Sequence, residues 1–446
     1  MDHIEIKKGH NIRISGLPIG NPVSVPMSET VAIYPYEFQG VKPKLMIKEG
    51  EKVMLGSPLF FDKSQPKVRW PSPANGIVQS IHFGARRVIK KIEISVIGDD
   101  AVEGPVYTKE KLYDLNREDI LKIILDANLF PIIRQRPFNK VANPMDKPRD
   151  IFVSAINTAP LSVDLDQVLY LEKNNFQIGV TALSRLVGKD IFVTLKKDSK
   201  IIDISDATIQ TITHLHPGGN VGIQIHNSRP IKPGDIIWTV DAQNVISLGK
   251  LFLTGKYDTK RILSIAGPGT SNPQFVSSNV GSSIKSLIVN QEFDLPVRLI
   301  SGDVLTGVKK DPDEFLGFYD TAITILPDIV ERPFMGMLQL GSSKTKYSLI
   351  NAFLSFGRTL FEFNTSQNGE ERAMVPIDAW EKVLPMDILP NALFRAILAE
   401  DIEEMEKLGI WECDDEDFAL CSFACPSKID VGNVIRKGLN LMGSEG

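Results

Sequence analysis

The N-terminal part of the chain alternates apolar and polar positions in short runs, which is the pattern of half-buried β-strands. Lys44–Lys48 and Lys90–Val96 are two such runs, and Gly-Glu, Gly-Ser-Pro and Asn-Gly turn signals separate them from their neighbours. The pattern predicts an all-β domain over residues 1–105.

A helical period begins near residue 116. Ile120, Ile123 and Ile124 recur at helical spacing within a helix predicted over Arg117–Leu129. Asn116 stands directly before this segment, where its side-chain oxygen can accept a hydrogen bond from a free N–H group of the first turn. The sequence therefore predicts that Asn116 is the N-cap of the helix.

Strand-like and helix-like segments alternate beyond residue 150. Ile151–Ile156 and Asp190–Leu195 are short apolar runs typical of buried strands, and the helical segments Leu165–Glu172 and Asn174–Val187 lie between them. Strands that alternate with helices indicate a parallel sheet with helices on its faces. Residues 106–255 are therefore predicted to form a Rossmann-like α/β domain.

The remaining residues divide into two predicted domains. Short segments with Gly and Pro corners over residues 256–330 indicate a small α+β module, interpreted as β-grasp and SLBB-like. Residues 331–446 are predicted to form a mainly helical domain. Its predicted helices are Leu349–Phe361, Ala392–Leu408, Asp415–Ala424 and Val431–Met442. The whole chain is thus predicted to be an α/β multidomain protein.

Composition narrows the class of protein. The 446 residues exceed one ordinary hydrophobic core, and the 43% apolar and 24% charged fractions are those of a soluble globular protein. A net charge of −5 argues against nucleic acid as a partner, because nucleic acid favours a basic face. No apolar run reaches the roughly 18 residues that a membrane helix needs. Any association with a membrane is therefore expected to depend on partners or on a surface patch.

The run Lys48–Leu59 resembles biotinyl and lipoyl carrier domains, which are small β barrel-sandwich hybrids. In those domains a lysine at a hairpin tip is acylated by the cofactor, and Lys63 falls close to that position. The flanking Phe60, Phe61 and Pro66 are bulky, and neither Ala nor Met follows the lysine. An unmodified surface Lys63 is therefore favoured, and a lipoyl or biotin carrier protein modified at Lys63 is the alternative.

The segment Asn128–Lys140 stands where an α/β domain could place a nucleotide loop. Such a loop needs glycines so that backbone N–H groups can approach a phosphate, yet no glycine occurs from Val106 to Gln177. Bulky Phe, Ile and Arg side chains are expected to fill the space instead. The positive charges and aromatic rings suit a quinone headgroup or an acidic partner, and a structural loop in which Arg stacks on Phe is the alternative.

Histidines suggest a second kind of site. His214 and His216 are spaced to share a metal ion on a strand, but only the more distant His226 could join them. Satisfied loop histidines are therefore favoured over a metal centre.

Acidic residues and cysteines concentrate near the C-terminus. Residues 400–417 hold ten Asp and Glu against one Lys. This is typical of a solvated helix face, and a docking strip for a basic partner is the alternative. Cys413, Cys421 and Cys425 are similar to the end of a ferredoxin-type run, but three thiolates at this spacing favour buried free thiols over an iron–sulfur cluster.

Several short segments, taken in order, resemble a known family. They are Ile6–Gly9, Gly84–Val88, Arg136–Val141, Leu248–Gly255, Ile300–Gly307, Met374–Ile377 and Glu416–Pro426. With these segments the chain resembles the A subunit of the Na+-translocating NADH:quinone reductase along nearly its whole length. The family is related to the flavin-binding subunit of respiratory complex I and to the C subunit of the Rnf complex, which have a glycine-rich loop where this chain has Leu129–Phe138.

The resemblance implies a peripheral subunit of a redox-driven sodium pump, on the cytoplasmic face of the bacterial inner membrane, that is not an enzyme by itself. It implies that FAD, FMN, riboflavin and iron–sulfur groups belong to other subunits and that this chain binds no cofactor. It further implies contact chiefly with the B subunit in the membrane, and a contribution to quinone binding through segments that correspond to Ile33–Phe38 and Ile133–Lys140. The candidate quinone-binding residues are Tyr34, Phe38, Arg134, Arg136, Phe138 and Lys140.

Overall fold

The computed structural model describes residues 2–329, 335, 347, 349, 360–375 and 377–445. The strands of these residues are β1 (Asp2–Ile4), β2 (Val23–Ser24), β3 (Thr30–Ile33), β4 (Pro43–Leu45), β5 (Lys52–Val53), β6 (Pro58–Asp62), β7 (Gln65–Pro71), β8 (Asn75–Phe83), β9 (Ile89–Gly98), β10 (Arg134–Arg136), β11 (Lys140–Val141), β12 (Asp150–Ser154), β13 (Ile191–Lys196), β14 (Ala207–Ile212), β15 (Ile237–Asp241), β16 (Lys260–Ala266), β17 (Gln274–Asn279), β18 (Val297–Ser301), β19 (Val308–Lys310) and β20 (Ala322–Pro327). The α-helices are α1 (Lys109–Asp114), α2 (Arg117–Asp126), α3 (Leu165–Leu171), α4 (Lys173–Val187), α5 (Val221–Ser228), α6 (Ala242–Thr254), α7 (Ile284–Leu287), α8 (Pro390–Leu398), α9 (Ile402–Lys407), α10 (Asp415–Ala424) and α11 (Val431–Glu445).

A seven-stranded sheet in the order β1-β14-β13-β12-β15-β10-β11 forms the centre of the α/β domain. The strands from β1 to β15 in this order pair in parallel, and β10 and β11 are antiparallel. Ile151, Phe152 and Val153 of β12 are fully buried, as expected for a strand covered on both faces. The predicted parallel α/β domain is confirmed.

Helix α2 begins as the sequence predicts and ends earlier. The Asn116 side chain accepts a hydrogen bond from the N–H of Asp119, whose carboxylate accepts one from the N–H of Asn116, so the predicted N-cap is confirmed as part of a capping box. The helix stops at Asp126 instead of Leu129 because Asn128 adopts a left-handed conformation with φ of 57°.

Two small antiparallel sheets form the predicted barrel-sandwich hybrid. Their orders are β3-β9-β8-β5 and β4-β6-β7, and the stacked rings of Phe60 and Trp70 lie in its core with centres 4.7 Å apart. The first two strands leave this unit: β1 pairs with β14 of the seven-stranded sheet, and β2 pairs with β17. The domain boundaries near residues 105, 255 and 330 stay predictions.

A six-stranded mixed sheet forms the small α+β module. Its order is β19-β18-β20-β16-β17-β2, and Leu263, Ile265, Ile323 and Ile325 form the buried core beneath it. The module lies after the α/β domain along the chain, as the sequence predicts.

The C-terminal helices share one hydrophobic core that includes Leu393, Met405 and Phe418. Helix α10 has the predicted bounds, but the single helix predicted over Ala392–Leu408 is wrong, because the structure has two helices, α8 and α9. Glu400 takes a left-handed φ of 56° between them, and Asp401 caps α9 by accepting a hydrogen bond from the Glu404 N–H. The helix predicted over 349–361 lies largely outside the described residues.

Candidate functional site

The carboxyl ends of the parallel strands β12 and β15 form a crevice at one edge of the seven-stranded sheet. Strand β12 has two neighbours in the sheet. The chain continues from β12 to β13 on one side, and β15 lies on the other side. Ligands of open α/β sheets bind at such a switch point, because loops that leave in opposite directions open a space there. Ser154 and Asp241, the last residues of the two strands, line a cavity of about 280 Å³ at this position.

The walls of this crevice cavity are polar. Asn220, at the start of α5, lies on one side, and Asp303 and Asp320 of the α+β module lie on the other. His216 is buried, and its Nδ1 is 3.2 Å from the hydroxyl of Thr158, while its Nε2 has no hydrogen-bond partner among the described residues. Burial lowers the pKa of His216 to about 4, so the imidazole is neutral at pH 7.

Arg134 separates the crevice cavity from a second, smaller one, because it lines both. Its Nη2 donates a hydrogen bond to Asp241 at 3.2 Å, and its guanidinium lies 5.0 Å from the centre of the Tyr319 ring. Burial acts to lower the pKa of Arg134, but the carboxylates of Asp241 and Glu416 raise it above its ordinary value. Arg134 therefore carries a permanent positive charge in the lining of both cavities.

The second cavity has a volume of about 150 Å³, and Phe38, Glu37, Asn139 and Tyr319 line it together with Arg134. The Phe38 ring is 3% exposed and lies edge-on to the Tyr319 ring, with centres 5.8 Å apart. A Phe38–Tyr319–Arg134 wall therefore connects the first domain to the α/β domain. We call the two cavities and this wall the Arg134 cleft.

Glu37, like Tyr319 and Asp241, is a residue of the Arg134 cleft that is absent from the candidates predicted from the sequence. Its Oε2 accepts a hydrogen bond from the Phe318 N–H at 3.1 Å, and its Oε1 is 3.9 Å from Lys310 Nζ. Burial raises the pKa of Glu37 to about 7, repulsion by Asp320 adds to the rise, and the Phe318 hydrogen bond and Lys310 oppose it. The signal for it was an acidic side chain within an aromatic segment, Ile33–Phe38.

Arg136 lies on the same face of β10 as Arg134, but carboxylates enclose it. Its Nη2 is 3.1 Å from Asp414 and 2.5 Å from Glu416, and its Nη1 is 3.5 Å from Asp417. The side chains of Arg136, Asp414 and Asp417 are at most 1% exposed. The interpretation of residues 400–417 as a solvated face is wrong at these positions, where the basic partners are Arg136 and Arg436 of the same chain.

The other predicted quinone-binding residues lie outside the Arg134 cleft. The Tyr34 hydroxyl accepts a hydrogen bond from the Phe315 N–H at 3.0 Å, the Phe138 ring is 5.6 Å from the Trp411 ring, and Lys140 Nζ is 5.5 Å from the Phe138 ring. The structure thus brings Phe38 and Arg134 together through Tyr319 and keeps Tyr34, Arg136, Phe138 and Lys140 apart from them.

The apolar residues before Arg134 also take a different place from the one expected. Leu129, Phe130 and Ile133 are fully buried, and the Phe130 ring packs against Trp238 with centres 5.8 Å apart. These side chains belong to the core of the α/β domain and do not fill the crevice. Within this segment Arg134 is the side chain that lines it.

The remaining sequence candidates lie elsewhere. Lys63 is exposed in the turn between β6 and β7, and His226 is 2.9 Å from Glu412, away from His216. In the part of the chain that the structure describes, no group of three His, Cys, Asp or Glu residues could hold a metal ion. The three cysteines are buried, as predicted, and form no disulfide bond with one another.

The fold and the crevice define a multidomain α/β protein in which a barrel-sandwich hybrid and a small α+β module flank a Rossmann-like sheet. Family models match these parts as the NqrA N-terminal barrel-sandwich hybrid domain over residues 4–97, the NqrA second alpha/beta domain over 115–257, and the NQRA C-terminal domain over 262–311. No helix of the described residues is long and apolar enough to cross a membrane.

Relatives match over the whole length. The A subunit of the Na(+)-translocating NADH-quinone reductase of Marinomonas sp. (strain MWYL1) is 36% identical over 445 residues, which cover 99% of this chain and 100% of the relative. The same subunit from Pasteurella multocida (strain Pm70) is 36% identical over 452 residues, with the same coverage. The chain belongs to the family of the A subunit of Na(+)-translocating NADH-quinone reductase.

Similarity to solved structures is weaker. A chain of an NAD+-reducing [NiFe]-hydrogenase aligns over 52% of each chain with a TM-score of 0.36 and 12% identity. This likeness carries no argument about function.

Proposed function

We propose that this chain is the A subunit of a Na+-translocating NADH:quinone reductase, in which NADH oxidation and quinone reduction drive Na+ export. It lies peripherally on the cytoplasmic face of the bacterial inner membrane and contacts chiefly the membrane-embedded B subunit. Two relatives at 36% identity, matched over 99% of this chain, support the assignment to the complex. The isolated chain is not catalytic in this proposal.

The chain contributes to quinone binding through the Arg134 cleft. The observation that carries this proposal is the position of the Arg134 guanidinium between two cavities and against Tyr319, with Glu37 in the lining of the smaller cavity. A quinone carbonyl oxygen is an acceptor, and a charged donor in a partly buried site binds it more strongly than a neutral one. Tyr319 and Phe38 supply aromatic surface for the ring.

Glu37 gives the same cleft a proton-exchanging group. Reduction of a quinone to a quinol takes up two electrons and two protons. The electrons come from redox groups of other subunits, and a carboxyl with a pKa of about 7 can hold or release one of the protons at neutral pH. Arg136, Phe138, Tyr34 and Lys140 then stabilise the walls and do not touch the quinone.

The proposal includes the absence of cofactors from this chain, with FAD, FMN, riboflavin and iron–sulfur groups in other subunits. The three cysteines are too few for a four-thiolate cluster and are buried. An absorption spectrum of the purified chain tests this part. A stoichiometric flavin band would contradict it.

A substitution at Arg134 tests the quinone site in the assembled complex. Arg134→Gln is expected to raise the KM for ubiquinone-1 about tenfold, because it removes a charge-assisted hydrogen bond, and to leave the KM for NADH unchanged. Arg298→Gln is the matched control, since Arg298 pairs with Asp328 outside both cavities. An unchanged ubiquinone KM in Arg134→Gln would remove this residue from the site.

Cross-linking of the complex in membranes tests the partner and the location. The B subunit is expected as the main cross-linked neighbour, and the chain is expected to be accessible to protease only in inside-out vesicles. Protection in those vesicles, or cross-links that avoid the B subunit, would contradict the proposed arrangement.

The second candidate is a lipoyl or biotin carrier protein. The turn between β6 and β7 exposes Lys63, which is the geometry that an attaching enzyme requires. The intact mass of protein purified from its native host separates the two candidates. A mass increase that maps to Lys63 establishes the carrier, and the unmodified mass excludes it.

A further inference from the structure

The hairpin between β8 and β9 ends in a tip that exposes both apolar and basic side chains. The two strands pair as far as Phe83 and Ile89. The Gly84 N–H donates a hydrogen bond to the Val88 carbonyl at 2.8 Å, and the Val88 N–H donates to the Ala85 carbonyl at 3.2 Å. Phe83 is 50% exposed and Val88 is 47% exposed. Two large apolar side chains thus stand in solvent on a backbone that hydrogen bonds hold in place.

Arg86 and Arg87 at this tip adopt a backbone conformation that disfavours them. Their φ angles are 54° and 58°, in the left-handed region where a Cβ crowds the carbonyl oxygen and glycine is accommodated more easily. Neither guanidinium has a hydrogen bond, an ion pair or a ring contact to another residue that the structure describes. Side chains that strain the backbone and gain no partner within the fold are typical of a functional site.

The positive charge of the tip is not balanced by carboxylates. Residues 83–91 include four Arg and Lys residues and no Asp or Glu, although the whole chain has a net charge of −5. Lys91 pairs with Glu93 of the same strand. The other cations of this segment pair with no carboxylate of the described residues. The tip therefore attracts an anionic partner.

An aromatic ring extends this surface towards the Arg134 cleft. Lys90 Nζ lies 4.9 Å from the centre of the Tyr36 ring, and Tyr36 is 45% exposed. Tyr36 directly precedes Glu37 and Phe38, which line the smaller cavity of the cleft. We call the whole set the hairpin surface, and its members are Tyr36, Phe83, Arg86, Arg87, Val88 and Lys90.

We propose that the hairpin surface docks on an anionic lipid surface. The arginines and Lys90 are attracted to negatively charged headgroups, and Phe83 and Val88 enter the boundary between the headgroups and the acyl chains. A lipid surface offers negative charge and an apolar layer to the same protruding tip and needs no matching shape. A specific protein interface engages roughly 20–30 residues on each side, which is far more than this tip offers.

This inference rests on the proposed function for the presence of a membrane. The cytoplasmic leaflet carries anionic lipids, so a chain on that face meets the charge that the tip requires. Because Tyr36 is next to Glu37 and Phe38, docking of the hairpin brings the lining of the Arg134 cleft close to the lipid in which a quinone dissolves.

Sedimentation of the full chain with vesicles tests the proposal. The chain is expected to bind vesicles that contain phosphatidylglycerol and not vesicles of pure phosphatidylcholine. Arg86→Gly/Arg87→Gly is expected to bind about thirtyfold more weakly, because each cation near an anionic surface contributes about a factor of five. Lys197→Gly/Lys200→Gly is the matched control, since it removes the same charge from an exposed turn after β13 and is expected to bind like wild type.

Thermal unfolding of the arginine variant separates loss of binding from loss of the fold. Glycine adopts the left-handed conformation without crowding, so Arg86→Gly/Arg87→Gly is expected to unfold at no lower temperature than wild type. A lower unfolding temperature would contradict the strain assigned to these two positions.

Phe83→Trp reports whether the tip enters the lipid. Its fluorescence is expected to shift to shorter wavelength on phosphatidylglycerol vesicles and to be quenched by brominated acyl chains. Wild type, whose Trp70 and Trp238 are fully buried, supplies the background signal. Unchanged fluorescence of Phe83→Trp overturns the proposal, and so does equal vesicle binding by the arginine and lysine variants.

Two further outcomes are distinguished by the same variants. A fluorescence shift of Phe83→Trp that requires the other subunits and does not occur with lipid alone overturns the proposal in favour of an acidic protein partner. Vesicle binding is measured without quinone and without other subunits. Its failure therefore leaves the KM for ubiquinone-1 of Arg134→Gln as a separate test of the proposed function.

Discussion

The guanidinium of Arg136 lies 3.1 Å from the carboxylate of Asp414, and both side chains are almost completely buried. The pair joins strand β10 of the α/β domain to the segment that precedes α10 in the C-terminal domain. Asp417 and Glu416 contact the same guanidinium. Arg436 of α11 also pairs with Asp414, but Arg136 is the one of these two cations that comes from the α/β domain.

Removal of this cation is expected to destabilise the C-terminal domain strongly. Arg136→Met leaves Asp417 buried without its cation and Asp414 with Arg436 alone, and breaking a buried pair in this way typically costs about 3–5 kcal/mol. Unfolding in urea measures the loss of free energy, and hydrogen exchange of the α10 amides then locates it in the C-terminal domain. Lys122→Met removes a cation from an exposed pair and is expected to leave the free energy of unfolding nearly unchanged, because solvent screens exposed pairs. Equal losses in the two variants would contradict the role given to Arg136.

The same network predicts a pH dependence of stability. Burial raises the pKa of Asp417 to about 7, although Arg136 opposes the rise, whereas an unfolded Asp has a pKa of about 3.9. The folded state thus binds the extra proton, and the resulting stabilisation, complete below pH 4, is lost as the pH rises through about 7. The free energy of unfolding of wild type is therefore expected to fall by on the order of 2 kcal/mol relative to that of Asp417→Asn as the pH rises from 5 to 8.

Asp415 provides a control of opposite sign. Burial acts to raise the pKa of its carboxyl, but hydrogen bonding and attraction by Arg436 lower it below the ordinary value. The stabilisation that Asp415 contributes is present above its pKa in the unfolded chain and is lost as the pH falls through its pKa in the folded chain. Asp415→Asn is therefore expected to cost more stability at pH 7 than at pH 3. The same pH trend in both variants would show that a different group titrates.

Glu37 is expected to make quinone affinity depend on pH. Below its pKa of about 7 the carboxyl is protonated and can donate a hydrogen bond to a quinone carbonyl, and above it the carboxylate repels that oxygen. The KM of the complex for ubiquinone-1 is expected to rise about tenfold between pH 6 and pH 8. Glu37→Gln keeps a donor at every pH and is expected to flatten the profile.

A carboxylate outside the cleft provides the comparison for Glu37. Glu118 is exposed on α2, so Glu118→Gln is expected to retain the wild-type pH profile. A wild-type profile in Glu37→Gln as well would mean that another group controls the pH dependence.

Local sequence signals predicted most of the fold and little of the site. The capping box at Asn116 and the bounds of α10 depend on neighbouring residues, so they could be predicted. Arg134 and Arg136 are the same residue type, lie two positions apart and share one face of β10. They differ because carboxylates from a distant part of the chain enclose only Arg136. One of these residues, Asp417, lies 281 positions after Arg136 in the sequence.

The same limit explains why Glu37 and the acidic segment were misjudged. The pKa of Glu37 depends on Phe318, Asp320 and Lys310, which belong to another domain. The acidic residues after 400 have the composition of a solvated face, and only the docking of α10 against β10 buries Asp414 and Asp417. Tertiary burial decides these properties, and a single sequence does not encode it in any short pattern.

The contact of α4 with α6 leads to the last prediction. A Cβ on Gly249 of α6 would lie 1.8 Å from the carbonyl oxygen of Asn175 in α4, and one on Gly179 would lie 2.1 Å from that of Val245. The two helices therefore meet backbone to backbone beneath the sheet. Gly249→Ala must push them apart and is expected to cost about 1–3 kcal/mol, because backbone atoms cannot yield as a flexible side chain can.

Gly443 of α11 is the matched control for that substitution. A Cβ there would meet Phe138 at an ordinary distance of 3.6 Å. Gly443→Ala is expected to be neutral or stabilising by up to about 1 kcal/mol, because alanine is the better helix former. Thermal unfolding of both variants measures the difference. A Gly249→Ala chain as stable as Gly443→Ala would mean that α4 and α6 do not pack at the distance described. In that case α6 would not fix the position of Asp241, which ends β15, caps α6 and lines the Arg134 cleft.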